Sequence, residues 1–155
     1  MPEILELLPA TPEDYAMLAA VGHEAFLIDK LTYGEGPDIF ENPRFLIPLL
    51  ARADGAVQKL TLNGEIIGVV VTFEQTPVAR WLGCICLLPA HQGKGYGQTA
   101  LRLLEQAYPT VRQWGLDTPE GNPRNRRFYE HAGYRVTGRS EVRPGFTLLV
   151  FDKRL

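Results

Sequence analysis

Only two cysteines occur in the 155 residues, Cys84 and Cys86. With no second pair there is no disulfide framework and no cysteine-based zinc site, so no metal is expected. Their i, i+2 spacing in an apolar run turns both side chains to one face of a strand. A bond between them is geometrically poor, and buried packing is the expected role. No basic run is present and the net charge is -2, which leaves no electrostatic footprint for nucleic acid. Acidic and basic residues are interspersed, as on a solvated surface. No membrane-spanning run, signal peptide or lipidation pattern appears, so the expected location is cytoplasmic. Internal repeats and linkers are also missing, and residues 1–155 are read as one domain.

What is present is an alternation of strand and helix patterns. Ile4 to Leu8 suits a first strand. Thr11-Pro12-Glu13-Asp14 starts a helix, with Thr11 as N-cap and Pro12 at the first helical position. Its apolar positions run to about Asp29, and Leu31 to Pro37 reads as a loop. Ile39 to Arg52 reads as a second helix, interrupted by Pro43 and Pro48. Val57–Leu62 and Glu65–Phe73 are strands joined by the hairpin signal Asn63-Gly64. Glu74 to Val78 turns the chain into a strand from Arg80 to Leu88. A helix from Tyr96 ends near Tyr108-Pro109, and Val111 to Leu116 is the fifth strand. Asn122 caps a helix with Pro123 at its first position, and Gly133 ends it. Tyr134–Thr137 and Phe146–Phe151 are the last strands. The order implies an α/β (α+β) domain with a single mixed, mostly antiparallel sheet of six to seven strands and helices on both faces.

One stretch carries chemistry. Between the fourth strand and its helix lies Leu87-Leu88-Pro89-Ala90-His91-Gln92-Gly93-Lys94-Gly95-Tyr96-Gly97-Gln98. Glycines at 93, 95 and 97 let the backbone turn tightly, so that its N–H groups converge at the positive end of a helix. The expected guest is a phosphate or pyrophosphate. Two common phosphate loops fail on spacing. GxxxxGK[ST] fails because Gly95 follows Lys94, and GxGxxG fails because the glycines read GxGxG.

The spacing Gln92-x-x-Gly95-x-Gly97 resembles the acyl-CoA loop of the GNAT N-acetyltransferases. A second segment, Asn122 to Tyr134, is similar to the family signature NxxAxxLYxxxGF: Asn122, Tyr129, Gly133 and Tyr134 fall in register. Asn125 stands where a small residue is usual, and Phe128 where leucine is. The closing strand, Leu148 to Leu155 with Lys153, also resembles the family's ending. The likeness covers nearly the whole chain from Ile4.

The resemblance implies transfer of an acetyl group from acetyl-CoA, as co-substrate, to a primary amine of a small molecule or peptide by direct attack in a ternary complex. It implies pyrophosphate binding by backbone N–H groups from Gln92 to Gln98, with Lys94 either adding charge at the rim or simply solvated. It implies that a backbone N–H near Leu87 or Leu88 polarises the thioester carbonyl, a contribution of about 10²–10³ in rate. Tyr129 is the implied acid toward the leaving thiolate, by full proton transfer or by a hydrogen bond. Asn122 and Asn125 are implied near the pantetheine arm, Asn122 also as a cap. A lysine-like amine costs about 4–5 kcal/mol to neutralise at pH 7, so a base is expected. Glu74 is the candidate, ahead of Glu24 and His23, while His91 and His131 read as solvated or capping residues. Acceptor specificity is expected from Tyr33 to Phe45 and from Arg139 to Phe146. A homodimer and a non-catalytic acyl-CoA sensor of the same fold are the open alternatives for assembly and activity.

Overall fold

The computed structural model describes residues 3–33 and 52–155, with side chains given for 3–27 and 52–155. The expected second helix within Ile39–Arg52, and the candidate specificity stretch after Tyr33, lie outside the described residues. Among the described residues no helix is long and apolar enough to cross a membrane.

Seven strands form one sheet: β1 (Leu5–Pro9), β2 (Gly55–Leu62), β3 (Glu65–Thr76), β4 (Ala79–Leu87), β5 (Gln113–Pro119), β6 (Arg135–Arg143) and β7 (Phe146–Arg154). Three α-helices are described: α1 (Tyr15–Tyr33), α2 (Tyr96–Ala107) and α3 (Pro123–His131). The strand order is β1-β2-β3-β4-β5-β7-β6. Every neighbouring pair is antiparallel except β4 and β5. This is the mixed, mostly antiparallel sheet that the sequence implies.

Local chemistry explains the elements. The Asp14 carboxylate accepts the Thr11 backbone N–H at 2.8 Å and opens the first helical segment. Asn63 (φ 52°) and Gly64 (φ 89°) both take positive φ, the geometry that a two-residue hairpin of the primed type needs. β3 is buried from Ile67 to Thr72, as expected of a strand with neighbours on both sides and helices on both faces. On one face Trp114, Leu116, Phe151, Leu101, Leu104 and Tyr129 form a core beneath α2 and α3. On the other, Leu18, Ala25, Val57, Val69, Val71 and Cys86 pack beneath α1.

Several boundaries differ from the sequence reading. α1 continues to Tyr33. β5 runs from Gln113 to Pro119 rather than over 111–116. Val111 is buried before the strand, where its N–H donates to Tyr108 O at 3.1 Å and closes a turn. β6 reaches Arg143 because Arg143 pairs with Phe146 across the turn at Gly145.

The feature that makes the site is a gap within the sheet. β4 and β5 pair over only three rungs, Ala79 with Gln113, Arg80 with Trp114 and Trp81 with Gly115. Beyond that rung β4 continues along β3 to Gly68–Leu87, while β5 continues along β7 to Pro119–Leu148. The β3–β4 register slips between Val71 and Thr72, which leaves Gly83 as an extra residue in β4 where the strands begin to part.

Candidate active site

The gap opens into a cavity of about 860 Å³. One wall is Gly83 to Leu87 of β4, the other is Asp117 to Pro119 of β5. The glycine loop closes one end, with Gln92, Gly93, Gly95, Gly97 and Gln98 all on the lining, and α3 adds Asn122, Asn125, Phe128 and Tyr129.

The loop end is built to take an anion. Gly95 is the N-cap of α2 at φ 85°, and it has no side chain with which to cap the helix. Gly93 has φ 75°. Such left-handed backbone is cheap for glycine and strained for other residues. Among the described residues, none of the backbone N–H groups from Gly95 to Gln98 has a protein acceptor. A helix start whose donors lack a cap is a cradle for a phosphate. Gly97 serves a different purpose: a Cβ there would lie 2.7 Å from Phe128 Cε1, so only hydrogen lets α3 dock against the loop.

Side chains hold this geometry. Gln92 Nε2 donates to Leu87 O at 2.9 Å, and Gln92 Oε1 accepts from Arg124 Nη1 at 3.2 Å. Gln98 Nε2 donates to Phe128 O at 2.9 Å. Asn122 is buried, and its Oδ1 accepts the Asn125 backbone N–H at 3.1 Å as the α3 cap. Asn125 Nδ2 donates to Thr118 Oγ1 at 3.2 Å, which ties α3 to β5. Lys94 is exposed and off the cavity lining. Tyr96 lies beside the loop, and its hydroxyl donates to Glu3 Oε2 at 2.7 Å, away from the cavity.

Backbone polarity along β4 separates Leu87 from Leu88. The Leu88 N–H donates to Ile67 O at 2.8 Å and is already spent within the sheet. Successive residues of a strand point their N–H groups to opposite edges. Leu87 therefore aims its N–H across the gap, toward the place β5 has vacated. Of the two candidates, Leu87 is the one that lines the cavity.

Tyr129 stands in the cavity wall, only 9% exposed, packed edge-on against Phe128 and Tyr134 and tilted against Phe151. Among the described residues its hydroxyl makes no hydrogen bond. Burial, and then the neighbouring Cys84, push its pKa far above the usual phenol range. The hydroxyl thus stays a neutral donor. Cys84 and Cys86 are free thiols on the same face of β4, as their spacing requires. The Cys86 thiol and burial both raise the Cys84 pKa. The thiolate, which is the reactive form, is disfavoured there.

The candidate base falls elsewhere. Glu74 is exposed and pairs with Arg80 at the start of β4, on the far side of the bulge from the glycine loop. Arg80 to Cys84 spans about 13 Å of strand. Glu74 is absent from the lining, as are His23, Glu24 and His91. Among the described lining residues the carboxylate is Asp117, on β5 opposite the parted strand. Its side chain remains exposed to the cavity, yet enclosure there desolvates it and raises its pKa from 3.8. The sequence reading missed Asp117 because it ended β5 at Leu116. Alternation of buried Leu116 and Thr118 around a polar residue is the signal that finds it. Phe26, Phe146, Leu148 and Arg124 also line the cavity. Among the described residues no group of three His, Cys, Asp or Glu is placed to hold a metal ion.

Comparison with known proteins gives a consistent picture. The family description "Acetyltransferase (GNAT) family" matches residues 23–134. No curated protein sequence matches. An acetyltransferase from Thermus thermophilus superposes with a TM-score of 0.81 at 25% identity, over 97% of each chain. The PaiA N-acetyltransferase of Thermoplasma acidophilum, solved with coenzyme A, gives 0.78 at 19% identity, over 98% of this chain and 99% of that one. The aminoglycoside acetyltransferase AAC(6')-Ib, solved with coenzyme A and kanamycin, gives 0.75 at 21% identity, over 97% and 95%. A seven-stranded sheet parted between β4 and β5, with an uncapped glycine turn at the parting, together with a family match over most of the chain, places this protein in the acetyltransferase (GNAT) family.

Proposed function

We propose that the protein transfers an acetyl group from acetyl-CoA to a primary amine, by direct attack within a ternary complex. The observation that carries this reading is the gap between β4 and β5, with open N–H donors at one end and a lone described carboxylate on its wall.

The residues divide the tasks. Backbone N–H groups of Gly95 to Gln98 hold the pyrophosphate, and Arg124 adds positive charge across the cleft. Leu87 N–H, left without a strand partner on the gap side, donates to the thioester carbonyl and stabilises the charge that grows on its oxygen. The amine nitrogen bonds to the acetyl carbon, the carbon–sulfur bond breaks, the nitrogen gives up a proton, and the sulfur departs as a thiolate that takes its proton from water. Asp117 receives the amine and accepts its proton, directly or through water. We assign this role to Asp117 rather than Glu74, because only Asp117 faces the cavity.

Tyr129 donates to the departing sulfur. Its pKa is raised well above that of a thiol near 8.5, so full transfer to a thiolate is uphill. A hydrogen bond to the sulfur is therefore the favoured form of its help. Cys84, held as a thiol, is a poor nucleophile, which supports direct transfer over an acyl-cysteine route. The free thiols also suit a reducing compartment such as the cytoplasm.

Titration calorimetry with acetyl-CoA, followed by thiol release in the presence of a mixed amine panel, tests the reading. Micromolar binding with amine-dependent thiol release is expected. Binding without release from any amine would favour the sensor alternative, and no binding would overturn the site.

A further inference from the structure

Resting on the acetyltransferase reading, we infer that Gln92 is the positioning residue for the Leu87 N–H, its side chain standing in for the β5 partner that β4 loses at the gap. Antiparallel strands alternate pairs of residues that exchange backbone hydrogen bonds with pairs that do not. Leu88 N–H donates to Ile67 O at 2.8 Å, whereas Leu87 lies opposite Gly68 in the neighbouring pair. Leu87 therefore turns both its N–H and its C=O away from β3 and toward the gap. The last rung with β5 is Trp81 with Gly115, well before Leu87. Beyond it the Leu87 carbonyl is taken by Gln92, whose Nε2 donates to it at 2.9 Å.

The amide is held from both ends. Its oxygen accepts from Arg124 Nη1 at 3.2 Å, so α3 carries the far end of the latch. A backbone carbonyl can only accept and a guanidinium can only donate, so these two partners admit one orientation of the amide. The backbone N–H of Gln92 is spent on Pro89 O at 3.2 Å. Gln92 thus lines the cavity without lending its backbone donor to the anion cradle. What it fixes is the free edge of β4. Leu88 is anchored to β3 and, as the residue before Pro89, is confined to extended backbone. Leu87 has no such anchor on β3, and the Gln92 amide holds its gap edge instead. Without that bond the residue can rotate, and its N–H swings off the thioester oxygen. A misplacement of about 1 Å is enough to cost about 10²-fold in rate.

Infrared difference spectra of bound acetyl-CoA, isotope-labelled in its thioester carbonyl, read the Leu87 donor directly, with the intact protein and no acceptor. A hydrogen bond that polarises the carbonyl lowers its stretching frequency, so binding to the parent should move the band below that of free acetyl-CoA. Gln92→Met fills similar space with neither donor nor acceptor, while Gln92→Lys restores a donor toward Leu87 O alone. Both take the amide oxygen from Arg124, so their difference reports the Leu87 carbonyl. Gln92→Met should lose at least about half of the band shift with calorimetric acetyl-CoA affinity within about threefold, and Gln92→Lys should regain it. Thiol release with an amine that the parent uses should fall about 10–100-fold in Gln92→Met, in kcat rather than KM. The parent's band shift in Gln92→Met would overturn the inference. So would loss of the shift in both variants, which would assign the amide to the shape of the cleft. A parent that binds acetyl-CoA without any shift would remove Leu87 as donor and the inference with it. Failure of the parent to bind acetyl-CoA would instead bring down the acetyltransferase reading beneath it.

Discussion

The ring of Phe128 lies directly on the backbone of Gly97: a Cβ at Gly97 would sit 2.7 Å from its Cε1 and 3.0 Å from its Cζ. The first turn of α2 and the middle of α3 are therefore in backbone-to-ring contact, and the proposed phosphate cradle depends on both helices. Gly95 differs, because a Cβ there meets nothing within 4 Å and only the φ of 85° resists it.

This contrast separates two substitutions. Gly97→Val should destabilise the fold by about 1–3 kcal/mol, since the Phe128 ring must move. Gly95→Val should cost less, about 1–2 kcal/mol of backbone strain, and leave the protein folded while its side chain intrudes on the cradle. Urea denaturation and acetyl-CoA calorimetry read both. Gly95→Val with native stability and unaltered affinity would remove the loop as the phosphate site.

Tyr129→Phe removes a hydroxyl that has no hydrogen bond among the described residues. Burying an unpaired polar group is unfavourable, so the melting temperature should stay the same or rise. The turnover number should fall about 10–100-fold with acetyl-CoA affinity within twofold. A lower melting temperature would reveal a partner that the fold depends on, and full activity would end the role as donor.

Asp117→Asn should lower kcat/KM by about 10²–10³ and remove the acid-side limb of its pH profile, while Glu74→Gln leaves that profile unchanged. The sign of the stability effect is also fixed. The folded pKa of Asp117 is raised, so its contribution to folding is most favourable below the unfolded carboxylate pKa and is lost as pH rises through the folded value. Asp117→Asn should therefore be no less stable than the parent at pH 7. If Glu74→Gln moves the pH profile and Asp117→Asn does not, the base assignment is reversed.

Tyr129 and Tyr134 are both buried with pKa values pushed up chiefly by desolvation. The fold holds them neutral, so their contribution to stability is complete below pH 10 and is lost progressively above it. Ultraviolet titration should show two of the six tyrosines ionising only as the circular dichroism signal collapses. Ionisation of all six before unfolding would refute their enclosure.

The sequence by itself determined whatever depends on neighbours a few residues away. Asn63-Gly64 specified its hairpin, the Asn122 side chain specified its cap, and the spacing of Gly93, Gly95 and Gly97 specified the tight turn ahead of α2. Each follows from backbone sterics or a local hydrogen bond. The lengths of β5 and β6 were less legible, since the partner strand sets where a ladder stops. Only the tertiary structure decided the gap. That Ala79 to Trp81 pair with β5 while Gly83 to Leu87 do not is a property of two strands distant in sequence, each following a different neighbour. From that parting come a Leu87 N–H with no β5 partner and the place of Asp117, unlike Glu74, on the cavity wall. A carboxylate's role is set by which strand edge vacates the space in front of it, and no local pattern records that.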